Sequence, residues 1–149
     1  MRYIEELFQN HILWVGIWAW LSAQALKALI DFVLNRKWSL FRLLFGLGGM
    51  PSSHSAFLCA VTLAIGYQAG FDSALFALSA CTTMVVMIDA AGVRRAAGKQ
   101  AAALNRIIDD MIHEGKGIDE EKLKELIGHT PVQVFAGALL GVIVGIILG

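Results

Sequence analysis

Four long stretches of the chain carry no Asp, Glu, Lys or Arg: Leu7–Leu26, Leu43–Phe71, Ser73–Ile88 and Leu126–Gly149. A bilayer-crossing helix needs roughly 20 mainly apolar residues, because the hydrocarbon core is about 30 Å thick and each residue advances about 1.5 Å. The gaps therefore predict four spanning helices, over residues 12–34, 51–70, 72–92 and 131–149. Soluble helices apolar on all sides would need a further covering layer, and a chain of 149 residues has none to spare. Between spans three and four the pattern changes. Leu104, Ile107, Ile108, Met111 and Ile112 recur at i, i+3, i+4, i+7 and i+8, while Asn105, Arg106, Asp109 and Asp110 take the other face. This predicts an amphipathic helix lying on the membrane surface or against the spans. Gly115-Lys116-Gly117 interrupts it, Asp119 suits the cap of a short helix at 120–127, and Gly128 ends that helix. The expected fold is all-α: one integral membrane bundle over residues 1–149, with about four transmembrane helices and a cytoplasmic amphipathic segment.

Composition agrees with the pattern. Hydrophobic residues make up 57% and charged residues 16%, against roughly 45–50% and about 25% in soluble proteins. Twelve cations balance twelve anions, which gives no electrostatic reason to expect nucleic acid as a partner. The distribution of charge is more informative than its sum. Ten of the twelve cations lie in the two loops after spans one and three, so the positive-inside rule places those loops in the cytoplasm and both termini outside. The expected location is a bacterial inner or plasma membrane. Trp14, Trp18 and Trp20 near one end of span one and Trp38 past the other fit interfacial belts. The first apolar stretch follows Glu5 and Glu6 and is too long for the h-region of a cleavable signal. Cys59 and Cys81 fall inside spans and read as small hydrophobes; no metal spacing is present, and no cofactor is expected.

Polar residues inside apolar stretches mark the candidate chemistry. Span one carries Gln24, Lys27 and Asp31 on one helical face. An ionisable group in lipid is costly and marks a functional site by default, although Lys27 and Asp31 at i, i+4 also suit a structural pair. Asp89, at the inner end of span three, offers the same two readings with Arg94 or Arg95 as its partner. Span two opens with Gly48-Gly49-Met50-Pro51-Ser52-Ser53-His54-Ser55-Ala56. Its free N–H groups and dipole favour an anion, Ser52 and Ser53 add hydroxyl donors, and His54 can donate a proton. Span four opens in parallel with Gly128-His129-Thr130-Pro131-Val132-Gln133, in which Thr130 and Gln133 spell a capping box. An ordinary capped helix start is the alternative reading of each. In Asp89–Gln100, small residues permit close approach while Arg94, Arg95 and Lys99 supply phosphate-type donors; Lys99 reads equally as a flank touching lipid head groups. The topology gathers His54, His129, Asp89, Arg94 and Arg95, with Lys27 and Arg36 as further members, at one membrane face. Such a set suits phosphoryl transfer: cations hold the oxygens, one His attacks, and another protonates the leaving group.

The Met50–Ala56 segment resembles the Pro-Ser-Gly-His motif of the type-2 phosphatidic acid phosphatase and vanadium haloperoxidase superfamily. Asp89–Gln100 and Gly128–Gly141 resemble stretches of its small divergent bacterial and plant branch, and the resemblance runs over most of the chain. It implies His54 as general acid and His129 as the nucleophile that becomes phosphorylated. Lys27 and Arg36 would stand for the phosphate-binding first motif, although they are spaced more widely and no Pro follows. The superfamily's carboxylate four residues beyond the nucleophile is Gln133 here, expected to orient the ring, with Asp89 as a candidate replacement. Lys122 and Leu123 occupy the places of its Ser-Arg pair, so Arg94 or Arg95 would supply that cation. The expected activity is hydrolysis of a lipid or polyprenyl phosphate monoester at the cytoplasmic face, without metal or cofactor. Two other readings stay open: a non-catalytic membrane protein that binds phosphorylated lipid or organises a partner, and a small oligomeric transporter component lined by Lys27 and Asp31. The Gly137-x3-Gly141-x3-Gly145 seam suits close helix contact, either between chains in a homo-oligomer or within one chain.

Overall fold

The computed structural model describes residues 2–35, 49–113 and 129–149, and all their side chains except those at 34–35, 94–95 and 109–113. Among the described residues every regular element is a helix: α1 (Arg2–Phe8), α2 (His11–Asn35), α3 (Ser53–Ala69), α4 (Ala74–Ala91), α5 (Val93–His113) and α6 (Pro131–Leu148). Helices α2, α3, α4 and α6 fall on the four expected spans. The glycine break and the short helix expected at 115–128 lie outside the described residues, as do Arg36 and Trp38.

Among the described residues three segments are long and apolar enough to cross a membrane: His11–Val33, Pro131–Leu148 and the run Ala74–Ile108. Helix α3, with 17 residues, lies at the centre of the bundle, packed on α2, α4 and α6, while α2 also meets α6 and α4 meets both α5 and α6. This explains why α3 tolerates a row of small and polar residues: its neighbours, not lipid, cover Ser53, Ala56, Ala60, Thr62 and Ala64.

Small side chains set the packing distances. The buried cluster is Val15, Ala19, Ala60 and Ala64, with Ile12 and Val144 against it. In a bilayer apolar burial does not favour helix–helix over helix–lipid contact, so close van der Waals approach and interhelical hydrogen bonds must hold the bundle. The span-four glycines provide that approach. A Cβ on Gly137 would strike the Ser52 carbonyl, one on Gly141 the Ala56 carbonyl, and one on Gly145 would come within 3.3 Å of Ala60 Cα. The register advances four residues on both helices together, so α3 and α6 run parallel with backbones in contact. The seam is buried within one chain, the intramolecular of its two expected uses. Between α3 and α4 the contact is polar: Thr62 Oγ1 lies 2.7 Å from Ser79 Oγ and 2.9 Å from Thr83 Oγ1, and Thr83 also donates to the Leu58 carbonyl at 3.5 Å.

The far end of the bundle is a tight hairpin. Gly70 takes φ +92°, in the region that favours glycine. Ser73 caps α4 by accepting from Phe76 N and donates its own hydroxyl to the Gly70 carbonyl. Helix α1 buries no residue and is tied to α2 by the Trp14 indole N–H, which donates to the Phe8 carbonyl at 2.7 Å. Helix α5 starts directly after Gly92, earlier than its apolar stripe suggests. Among its described side chains Gly98 and Asn105 are buried, while Leu104 and Ile107 stay exposed.

Candidate functional site

Because α3 and α6 run parallel, their N-termini share one end of the bundle, and antiparallel α2 and α4 bring their C-termini to that end. The two starts are joined directly: the Ser52 N–H donates to the Gln133 carbonyl at 3.0 Å. This bond ties together the two motifs that the sequence places about 80 residues apart. The Met50–Pro51 peptide is cis, and Pro51 and Ser52 are fully enclosed.

The two histidines meet there. The ring centroids of His54 and His129 are 6.4 Å apart, with planes inclined at 55°. His54, in the first turn of α3, is exposed, while His129 is 9% exposed. His129 immediately precedes the Thr130 cap of α6.

The remaining expected residues divide into those the structure brings to this end and those it assigns other work. Ser52 caps α3: its Oγ accepts from Ser55 N at 3.4 Å and from Ser55 Oγ at 3.1 Å, inside a fully buried start. Ser53 is also buried, at 5% exposure. Gln133 serves the other helix start: its Oε1 accepts from Thr130 N at 2.9 Å and its backbone N–H donates to Thr130 Oγ1 at 3.4 Å, completing the expected capping box beside His129.

Lys27 is buried, and its Nζ donates to Gln24 Oε1 at 3.0 Å. Among the described residues this bond, rather than a close ion pair with Asp31, is its direct polar contact. Its aliphatic stem lies against Gly49, where a Cβ would stand 3.3 Å from Lys27 Cγ and Cδ. Gly49 has φ +88°, so glycine there serves both the turn and the space. Lys27 thus sits under the strand of chain that leads to Ser52. Asp89 stands in the last turn of α4 at the same end, partly buried. Arg94 and Arg95 occupy the first turn of α5, adjoining that end, with side chains outside the described set; Lys99 is exposed one turn further on. Among the described residues no three His, Cys, Asp or Glu side chains converge as metal ligands do.

Sequence reasoning missed Ser55, which is 1% exposed and completes the buried hydroxyl pair with Ser52. It also missed the part Gly137 plays in letting α6 reach the Ser52 backbone. The signal was present in the matched spacing of Ser52, Ala56, Ala60 and Gly137, Gly141, Gly145.

Comparison with known proteins accords with this arrangement. The chain is 40% identical to an uncharacterized membrane protein, YuiD, of Bacillus subtilis (strain 168), with 96% of each chain covered. No solved structure matches it significantly. The model of the divergent PAP2 family matches residues 8–144, a stretch that holds both histidine motifs, α2, α3, α4 and most of α6, and the chain belongs to that family.

Proposed function

We propose that the protein hydrolyses a phosphate monoester carried by a membrane lipid or polyprenyl alcohol, at the cytoplasmic face. The observation that carries this reading is the 6.4 Å approach of His54 and His129 at two joined helix N-termini. Helix starts favour anions, because their first N–H groups point outward and their dipoles end positive. His129 attacks phosphorus through a neutral ring nitrogen and breaks the ester P–O bond. His54 gives its proton to the departing alkoxide, so the products are the alcohol and a phosphohistidine. Water, losing a proton to His54, then attacks the phosphohistidine, releases phosphate and restores both rings. Arg94 and Arg95 adjoin this end on α5 and suit the oxygens of the phosphoryl group. Lys27 supports the floor of the site through Gly49.

The test is phosphate release by the purified protein from phosphatidate in mixed micelles. The native protein releases phosphate and vanadate inhibits it; His129→Ala releases none and forms no acid-labile phosphoprotein. Equal release by native protein and His129→Ala refutes the assigned nucleophile. Retained phosphatidate binding with no turnover by native protein makes the chain a lipid-binding protein instead.

A further inference from the structure

Alongside the histidine end, a groove of about 610 Å³ opens between α4 and α6, with α3 as its floor. It is walled by Met84, Met87, Phe135 and Val142 and floored by Cys59 and Leu63. Its size falls within the roughly 300–1,000 Å³ of small-molecule sites. Its two hydroxyls, on Thr62 and Thr83, already bond each other at 2.9 Å, so the surface offers an occupant apolar contact only. Its position along the helices is informative. Ile88, Ala91 and Pro131 form its upper rim. Pro131 is two residues beyond His129 and Ile88 is next to Asp89. From that rim it runs to Val142 on α6 and Phe76 on α4, about 16 Å and 22 Å at about 1.5 Å per residue.

Those lengths decide between occupants. A helix from a second copy would follow α4 and α6 through the full hydrocarbon core of about 30 Å. The groove stops short of that, and it starts at the polar site rather than at an arbitrary depth. One extended hydrocarbon chain, anchored by a head group at the rim, matches both its length and its starting point.

We propose that the groove between α4 and α6 holds one hydrocarbon chain of a phosphate-bearing lipid whose head group lies at His54 and His129. This rests on the phosphate-ester reading of the histidine site and adds where the rest of the substrate lies. Lipid reaches the site from the bilayer through the α4–α6 opening, and the chain follows the groove down to the level of Val142 and Phe76.

The experiment uses the whole protein in phosphatidylcholine vesicles. One probe is a hexadecyl phosphate with a photoactivatable diazirine midway along its chain; the other is the matching alcohol. After irradiation and digestion, adducts from the phosphate probe fall on Met84, Met87 or Phe135, at least about tenfold above the alcohol, a factor that corresponds to roughly 1.4 kcal/mol. Ala80→Phe, which fills the groove, lowers those adducts about tenfold by the same measure. Leu78→Phe, at a position of α4 that is 65% exposed and does not line the groove, leaves them unchanged. Adducts spread over Leu78 and Val85, equal labelling by the two probes, or coupling between two copies of the chain at this face each overturn the assignment. Groove adducts with no phosphate release from any ester refute hydrolysis and leave the groove assignment standing. Normal release with adducts outside the groove does the reverse.

Discussion

Gly137 is the point at which the backbones of α6 and α3 meet beside the histidines, so Gly137→Ala tests the core of the structural argument with one methyl group. The added Cβ would strike the Ser52 carbonyl, which belongs to the backbone and has no rotamer to escape into. The helices must separate, and the Ser52 N–H···O=C Gln133 bond of 3.0 Å must lengthen with them. Overpacking costs about 1–3 kcal/mol, and losing the hydrogen bond adds about 0.5–1.5 kcal/mol. Alanine's better helix propensity offsets about 1 kcal/mol. The net loss is about 2 kcal/mol, which for a chain of this size lowers the melting temperature by roughly 4–8 °C. Thermal unfolding in detergent, followed by tryptophan fluorescence, reads the shift. Gly141→Ala provides the comparison: its Cβ strikes the Ala56 carbonyl one turn further from the histidines. Both variants lose stability. If the site is built as described, Gly137→Ala also loses more phosphate release per folded molecule than Gly141→Ala. A melting temperature for Gly137→Ala within about 1 °C of native, where the estimate is several degrees, refutes the backbone contact and with it the joined helix starts.

Three further outcomes follow from other parts of the bundle. His54→Gln lowers turnover by about 10²–10⁴ on alkyl phosphates, where the leaving group needs a proton, and far less on p-nitrophenyl phosphate, where it does not; equal losses on the two esters would remove His54 as the acid. Lys27→Ala removes the 3.0 Å hydrogen bond from Lys27 Nζ to Gln24 Oε1 and lowers stability by about 0.5–1.5 kcal/mol; an unchanged melting temperature in the same assay would show the contact to be unimportant. Thr62→Val deletes the centre of the Thr62–Ser79–Thr83 hydroxyl cluster and lowers stability by about 0.6 kcal/mol, reaching at most about 1.7 by measurements on comparable interhelical bonds; a stabilised Thr62→Val would show that these hydroxyls are not the contact holding α4 to α3.

Much of the architecture was legible because lipid imposes a simple rule: charge is excluded and helices are required where the chain crosses. The uncharged stretches locate α2, α3, α4 and α6, and Thr130 marks a helix start that the structure reproduces. The burial of α3 at the centre of the bundle was not legible, since an uncharged stretch does not say whether lipid or protein covers it. The sequence offered two readings of Ser52, a phosphate donor and a helix cap, and the structure shows the cap. Ser52 and Gln133 have the composition of ligand-binding residues, yet a helix start consumes such groups first, because buried N–H donors without acceptors are costly. The use of the glycine seam was equally undetermined, since small residues at intervals of four permit contact within one chain and between chains alike.

The sequence by itself determined that this is a helical membrane protein with two histidine-bearing helix starts, because charge placement, periodicity and capping are local properties that lipid reads directly. Only the tertiary structure decided that those starts touch, that Gly137 lies on Ser52, and that α4 and α6 leave a groove beside His129. Helix pairing depends on which small residues happen to face one another across about 80 residues of intervening chain, and no periodicity along a single helix carries that information.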